Sequence, residues 1–160
     1  MKTLIVYASS TGTTEKCAKQ LAELLPGAEL HALEKKGNPS PEGYDAVIVG
    51  GCIRGGGLAP FAQMYLEECE EMLLDKQLGL FICCGDDESA EEYFAGNVSE
   101  DLLNHAKVRM SFGGELDAER ARGIIDRMLV KSMAQNPDAA KMSFYGERIP
   151  EFASKMLANA

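Results

Sequence analysis

Apolar residues run along the chain in short unbroken blocks, each followed by a segment with helical spacing. Leu4 to Ala8 is the first block, and a continuous apolar run of that length suits a strand buried on both faces. Thr14 to Leu25 then carries Cys17, Ala18, Leu21, Ala22, Leu24 and Leu25 at helical spacing and stops at Pro26-Gly27. The unit recurs. "YDAVIVGG", Tyr44 to Gly51, predicts a second buried strand, followed by a glycine-rich loop and a helix that opens at Pro60. Phe61, Met64, Tyr65, Cys69, Met72 and Leu73 are expected on the inner face of that helix. "LGLFICCG", Leu78 to Gly85, predicts a third buried strand, then an acidic loop and a shorter helix over Val98 to His105.

Two segments read differently. "KVRMSFGGEL" alternates, with Val108, Met110 and Phe112 on one face and Lys107, Arg109 and Ser111 on the other, while "AELHAL", Ala28 to Leu33, is mixed and short. Both predict edge strands, with the three apolar runs central. Helices over Ala118 to Ala134 and Pro150 to Ala158 are expected after the last strand. Alternating strands and helices imply an α/β fold, a doubly wound five-stranded parallel sheet covered on both faces, in a single domain over residues 1–160. Edge positions for the second and fifth strands give the order 2-1-3-4-5. A ligand in such a sheet sits beyond the carboxyl ends of the strands, at the switch point between strands 1 and 3. That rule brings together Ser9 to Thr14, Cys52 to Ala59 and Gly85 to Tyr93.

Composition narrows the function. A chain of 160 residues with 46% apolar content supports one core, burying roughly 70% of the unfolded-state surface. The formal charge of -9 and pI of about 4.7 oppose binding to nucleic acid or an anionic membrane. The five cysteines include one adjacent pair and no C-x-x-C spacing, which fits neither a zinc site nor a disulfide framework and predicts reduced thiols in the cytoplasm. The N-terminal apolar stretch is too short for a signal-peptide core or a membrane span. Cys83-Cys84 reads as packing, and neither His31 nor His105 has a catalytic partner in its motif.

The chemistry concentrates in "YASSTGTTEK", Tyr7 to Lys16, where Ser9, Ser10, Thr11, Thr13 and Thr14 surround Gly12 with no basic residue before Lys16. A loop that ends in a helix N-terminus presents unpaired N–H groups and the positive end of the helix dipole, so hydroxyls there suit a small oxyanion. The alternative is a turn with an ordinary threonine cap. Neither the G-x-x-x-x-G-K-[ST] loop of nucleoside triphosphate sites nor the G-x-G-x-x-G loop of dinucleotide sites is present.

The pattern [ST]-x-T-G-x-T at Ser9, Thr11, Gly12 and Thr14 resembles the FMN-phosphate loop of flavodoxins, and "GDDESAEEYFAGN" is similar to their loop beside the isoalloxazine. "VIVGGCIRGG" and "GGELDAERARGIIDRMLVKSMAQNPD" resemble the flavodoxin branch that includes menaquinone-dependent protoporphyrinogen oxidases. The resemblance implies a flavodoxin-like fold and FMN as cofactor, with its phosphate on Ser9, Ser10, Thr11, Gly12, Thr13 and Thr14. It implies that Cys52, Ile53, Arg54, Gly55, Gly56 and Gly57 flank the ring on one side and Cys84, Gly85, Asp86 and Tyr93 on the other. Catalytic and metal-ligating residues are not implied. The chain has no Trp, glycine stands at Gly55 where an aromatic is usual, and Tyr93 falls two residues beyond the usual stacking tyrosine.

The family implies a peptide in the glycine run that turns its carbonyl toward flavin N5 on one-electron reduction, a change that glycine makes inexpensive. Asp86, Asp87, Glu88, Glu91 and Glu92 add negative potential at the same mouth, which implies a low-potential carrier of electrons between redox proteins with basic docking faces; the sequence leaves the oligomeric state open, with a monomer favoured. The competing functions are an oxidoreductase of the protoporphyrinogen oxidase or quinone-reducing type, and an interaction domain without FMN.

Overall fold

The computed structural model describes residues 1–115, Met128 and residues 142–159. The first strand β1 (Thr3–Ala8) leads into helix α1 (Thr13–Leu24), followed by β2 (Glu29–Ala32) and β3 (Ala46–Arg54). A two-residue strand β4 (Gly57–Leu58) precedes helices α2 (Pro60–Glu68) and α3 (Glu70–Leu73), and β5 (Gln77–Cys83) follows. A 3-10 turn at Asp87–Ser89 opens α4 (Ala90–Asn97), then α5 (Glu100–His105), β6 (Val108–Ser111) and α6 (Arg148–Leu157).

The sheet runs β2-β1-β3-β5-β6, every neighbouring pair parallel. Apart from the added β4, this is the expected order 2-1-3-4-5. The three apolar runs are the central strands because each is covered on both faces. Leu4, Val6 and Ala8 of β1 pack with Val47, Val49, Leu78, Leu80 and Ile82 under α2 to α5. Ile5 and Tyr7 pack with Ile48, Phe81 and Cys83 under α1 and α6. Adjacent residues thus serve opposite cores, so no position in these strands is free to be polar without a partner. On the α6 side Phe81, Phe112 and Phe152 form a ring trio with centroids 5.1 to 6.2 Å apart. Burying each ring contributes about 1.5 to 3 kcal/mol.

Four expectations are corrected. First, the inner face of α2 and α3 is Ala62, Tyr65, Leu66 and Leu73, with Cys69 half-buried, while Phe61, Met64 and Met72 are 40%, 39% and 37% exposed. The helix approaches β3 at Gly51, where even a Cβ would lie 3.1 Å from that of Ala62, so a small residue must face the sheet there. Second, the helix expected over Val98 to His105 spans Glu100–His105, and a further helix, Ala90–Asn97, stands where only the acidic loop was expected. Ser99 starts the helix at Glu100 by accepting a hydrogen bond from the Leu102 N–H at 3.3 Å, leaving Val98 extended between the two. Third, α6 begins at Arg148, which places Pro150 in its first turn, where its missing N–H costs nothing.

Fourth, the glycine run is an ordered hairpin: Ile53 pairs with Leu58 and Arg54 with Gly57 in antiparallel register. The helix expected over Ala118 to Ala134 lies outside the described residues except for Met128, which is helical. Among the described residues no helix is long and apolar enough to cross a membrane.

Candidate functional site

β1, β3 and β5 are adjacent and parallel, so their carboxyl ends open on one mouth. After β1 the chain turns at Gly12, whose φ of 93° places it in the left-handed region, and α1 begins with no side-chain cap. The Ser9 hydroxyl accepts from the Gly12 N–H at 3.1 Å and draws the loop tight ahead of the helix. Thr13 and Thr14 are buried, 3% and 1% exposed, and neither Oγ1 makes a well-formed hydrogen bond, although that of Thr14 lies close enough to the Cys83 thiol to lower its pKa against the larger upward push of the Cys17 contact and burial. Leaving a buried hydroxyl unmet costs about 1 to 3 kcal/mol. Both hydroxyls stand in the first turn of α1, where the free backbone N–H groups and the positive end of the helix dipole favour negative charge. The first basic side chain, Lys16, is engaged at the rim. Its Nζ donates to Glu115 at 2.7 Å and lies 4.2 Å from the Phe144 ring centroid.

The second loop is joined to the first by the contact of Ser10 Oγ with Cys52 Sγ at 3.4 Å. Beyond Cys52 and Ile53, Arg54 is exposed at the foot of the hairpin, and Gly55 and Gly56 form its tip with φ of 57° and 80°. Two successive positive φ values are what a tight two-residue hairpin turn demands, and they explain glycine at both positions. Gly57 continues the strand. The tip is tied to the third loop by Asn97, which receives the Leu58 N–H on Oδ1 at 3.0 Å and donates from Nδ2 to the Gly56 carbonyl at 2.9 Å.

In the third loop the Cys84 thiol lies 3.4 Å from the Ser111 hydroxyl and is pushed up in pKa by burial. Gly85 packs so closely under Met142 that a side chain there would collide with it. Asp86 is exposed and accepts from the Ser89 hydroxyl at 2.7 Å. Tyr93 is half-buried against the apolar core, and burial first, then the Asp86 charge, raises its pKa. Cys83 faces the other core with its Sγ 3.8 Å from that of Cys17, and that contact together with burial keeps it protonated.

The acidic loop is less bare than its composition implies. Arg148 donates to both carboxylate oxygens of Asp87 at 2.8 and 3.2 Å and to the Ser111 carbonyl at 2.9 Å. Burial opposes ionisation of Asp87, and the Arg148 and Ser111 side chains overcome it, holding the carboxyl below its usual range. Glu91 pairs with Arg109 at 3.2 Å. Glu88 and Glu92 stand exposed. Arg148 and Ser111 belong to no motif, and Asn97 and Glu115, though inside the segments that resemble flavodoxins, were not expected as site residues, because the contacts that matter are to residues distant in sequence.

Ser9 to Thr14, Cys52 to Gly57 and Cys84 to Tyr93 are therefore neighbours around one mouth. Among the described residues no cluster of metal-ligating side chains is present. Residues 4–143 match the family model described as "Flavodoxin domain". The fold is similar to that of oxidised Flavodoxin 1 from Bacillus cereus, at 14% identity and a TM-score of 0.56, covering 100% of this chain and 99% of that one. It is similar to a flavodoxin from Streptococcus pneumonia TIGR4, at 16% identity and a TM-score of 0.54, covering both chains in full at 100% and 100%. A flavoprotein from Lactobacillus acidophilus solved in complex with FMN is similar over 69% of this chain and 91% of its own, at 16% identity and a TM-score of 0.56. At these identities the likeness is one of fold. The match of the family model over most of the chain, on a sheet of this order, shows that the protein belongs to the flavodoxin domain family.

Proposed function

We propose that the protein is an FMN-binding, low-potential electron carrier that works between redox proteins in the cytoplasm, with residues 1–160 acting as one domain. The observation that carries this reading is the pair of buried hydroxyls of Thr13 and Thr14, neither in a well-formed hydrogen bond, at the uncapped start of α1. FMN, when bound, supplies uptake and release of electrons one or two at a time. Thr13, Thr14 and the amides around Gly12 would hold its phosphate, with Ser9, Ser10 and Thr11 completing the loop. Cys52 to Gly57 and Cys84 to Tyr93 would enclose the ring, and the half-buried Tyr93 is the aromatic side chain available to pack near it.

Charge placement sets the direction of the chemistry. The loop binds its anion with dipoles, while Asp86, Glu88 and Glu92 stand exposed at the mouth. Their potential opposes the arrival of further negative charge, which favours a strongly reducing carrier. The same groups suit partners with basic docking faces. Five free thiols agree with a reducing compartment.

The "VIVGGCIRGG" segment also resembles the menaquinone-dependent protoporphyrinogen oxidase branch, and porphyrinogen turnover with menaquinone separates an enzyme from a carrier. The test of the main reading is spectroscopic. Apoprotein titrated with FMN is expected to saturate at one flavin per chain with a perturbed flavin spectrum, and to pass electrons to a redox protein. Absence of saturable flavin binding contradicts the reading.

A further inference from the structure

The glycine hairpin carries a structural contradiction that Asn97 resolves. Nothing lies within 4 Å of where a Cβ on Gly55 or Gly56 would be, so packing does not set the orientation of the tip. The strand that follows it, β4, is two residues long and among the described residues pairs with β3 alone, which leaves its other edge without a strand partner there. A short, glycine-tipped ribbon of this kind is marginal by itself.

Asn97, the final residue of α4, occupies that edge. Its Oδ1 accepts the Leu58 N–H at 3.0 Å, and its Nδ2 donates to the Gly56 carbonyl at 2.9 Å and to the Tyr93 carbonyl, also at 2.9 Å. The side-chain amide presents an acceptor and a donor to one strand edge as the backbone of a neighbouring strand would. The three partners define its orientation, since the reversed amide would set an oxygen against two carbonyls and a donor against an N–H. Asn97 also joins two loops. The Gly56 carbonyl belongs to the loop after β3, and the Tyr93 carbonyl to the helix that follows β5.

We propose that Asn97 is a positioning residue that holds the Gly56-Gly57 peptide with its carbonyl toward α4, so that the hairpin and α4 form one rigid wall of the flavin site. This rests on the FMN reading above. With Asn97 in place, turning that carbonyl toward the flavin requires breaking its bond to Nδ2, whereas the Gly55 carbonyl carries no such tie to Asn97. The latch thereby selects which peptide of the tip can respond to a change of charge in the ring.

Three variants test it. Asn97→Ala removes all three bonds. Asn97→Asp keeps the acceptor for Leu58 but loses both donors. Ser99→Ala removes the neighbouring α5 cap, as a control for general loss of stability.

In the apoprotein, amide exchange at Leu58 is expected to accelerate at least tenfold in Asn97→Ala and to change less in Asn97→Asp and Ser99→Ala. In the FMN-loaded protein both Asn97 variants are expected to alter the separation of the two one-electron midpoint potentials. The expected change is at least tenfold in the corresponding equilibrium constant, about 59 mV, with Ser99→Ala near the parent. Unchanged Leu58 exchange in Asn97→Ala overturns the latch. Faster exchange with unaltered potentials overturns its role at the flavin. If the parent binds no FMN, the functional reading falls, and the Leu58 exchange still decides whether the latch exists.

Discussion

Arg148, at the start of the C-terminal helix, closes on both carboxylate oxygens of Asp87 in the loop after β5, at 2.8 and 3.2 Å, while lying 3.9 Å from the Tyr145 ring centroid. The pair links a helix that covers one face of the sheet to a loop at its carboxyl end. Because the folded-state pKa of Asp87 is depressed, its stabilising effect is present above the unfolded carboxylate pKa of about 3.9 and is lost as pH falls through the lower folded value. Arg148→Gln is expected to cost about 1 kcal/mol at pH 7, with solvent screening allowed for, and to flatten the loss of stability below about pH 4. Urea unfolding across pH 2 to 7 checks both parts.

The buried threonine hydroxyls make a prediction of opposite sign for two properties. Thr13→Val and Thr14→Val preserve shape and remove a buried group that makes no well-formed hydrogen bond. Each is expected to leave the apoprotein as stable or up to about 1 kcal/mol more stable, and to weaken FMN binding by about 1.5 to 3 kcal/mol. Thermal unfolding of apoprotein and FMN titration give the two values. Loss of apoprotein stability with unchanged FMN affinity contradicts a role for these hydroxyls in holding the phosphate.

How much of this was legible in the sequence follows from what each residue touches. The central strands were plain because Leu4 to Ala8, Ala46 to Gly51 and Leu78 to Ile82 must be apolar at every position when both faces are covered. The hydroxyl loop was plain because its residues act within a few positions of one another. The face of α2 was misread because Phe61 and Met64 share helical spacing with true core residues, and the decisive fact is the approach of Ala62 to Gly51, on the strand before the hairpin. The hairpin was missed because a two-residue strand has no periodicity, and its glycines suit a flexible loop equally well. Asn97 and Arg148 carry no local signal for their roles, since the Gly56 carbonyl that Asn97 holds and the Asp87 carboxylate that Arg148 holds lie 41 and 61 residues distant.

Positive φ at the tip has its own cost. Gly55→Val and Gly56→Val are each expected to destabilise the hairpin by about 1 to 2 kcal/mol, because a branched side chain resists the left-handed region, whereas Gly57→Val should do less. Amide exchange at Leu58 and Ala59 reports the effect directly. Parent-like exchange in all three variants contradicts the hairpin turn.

Ion pairing should divide the acidic loop into effective and silent charges. Glu88 and Glu92 stand exposed, whereas Glu91 is paired with Arg109 and Asp87 with Arg148. Electron transfer to a basic redox protein is expected to slow as salt rises, since the Debye length falls from about 10 Å at 0.1 M to about 3 Å at 1 M. Glu88→Gln with Glu92→Gln should slow it at low salt more than Glu91→Gln does. Stopped-flow rates over a salt series test this, and a rate indifferent to salt contradicts docking at this loop.

The central claim is that the start of α1 holds the phosphate of FMN, and the most direct measurement compares FMN with riboflavin, which has the same ring and no phosphate. Calorimetric titration of the apoprotein with each flavin isolates the contribution of the Ser9 to Thr14 loop. Several charge-assisted hydrogen bonds at about 1.5 to 3 kcal/mol each predict FMN binding at least about a hundredfold tighter than riboflavin. Thr14→Val should narrow that ratio by weakening FMN alone. Equal affinity for the two flavins, or a ratio that Thr14→Val leaves untouched, would contradict the account.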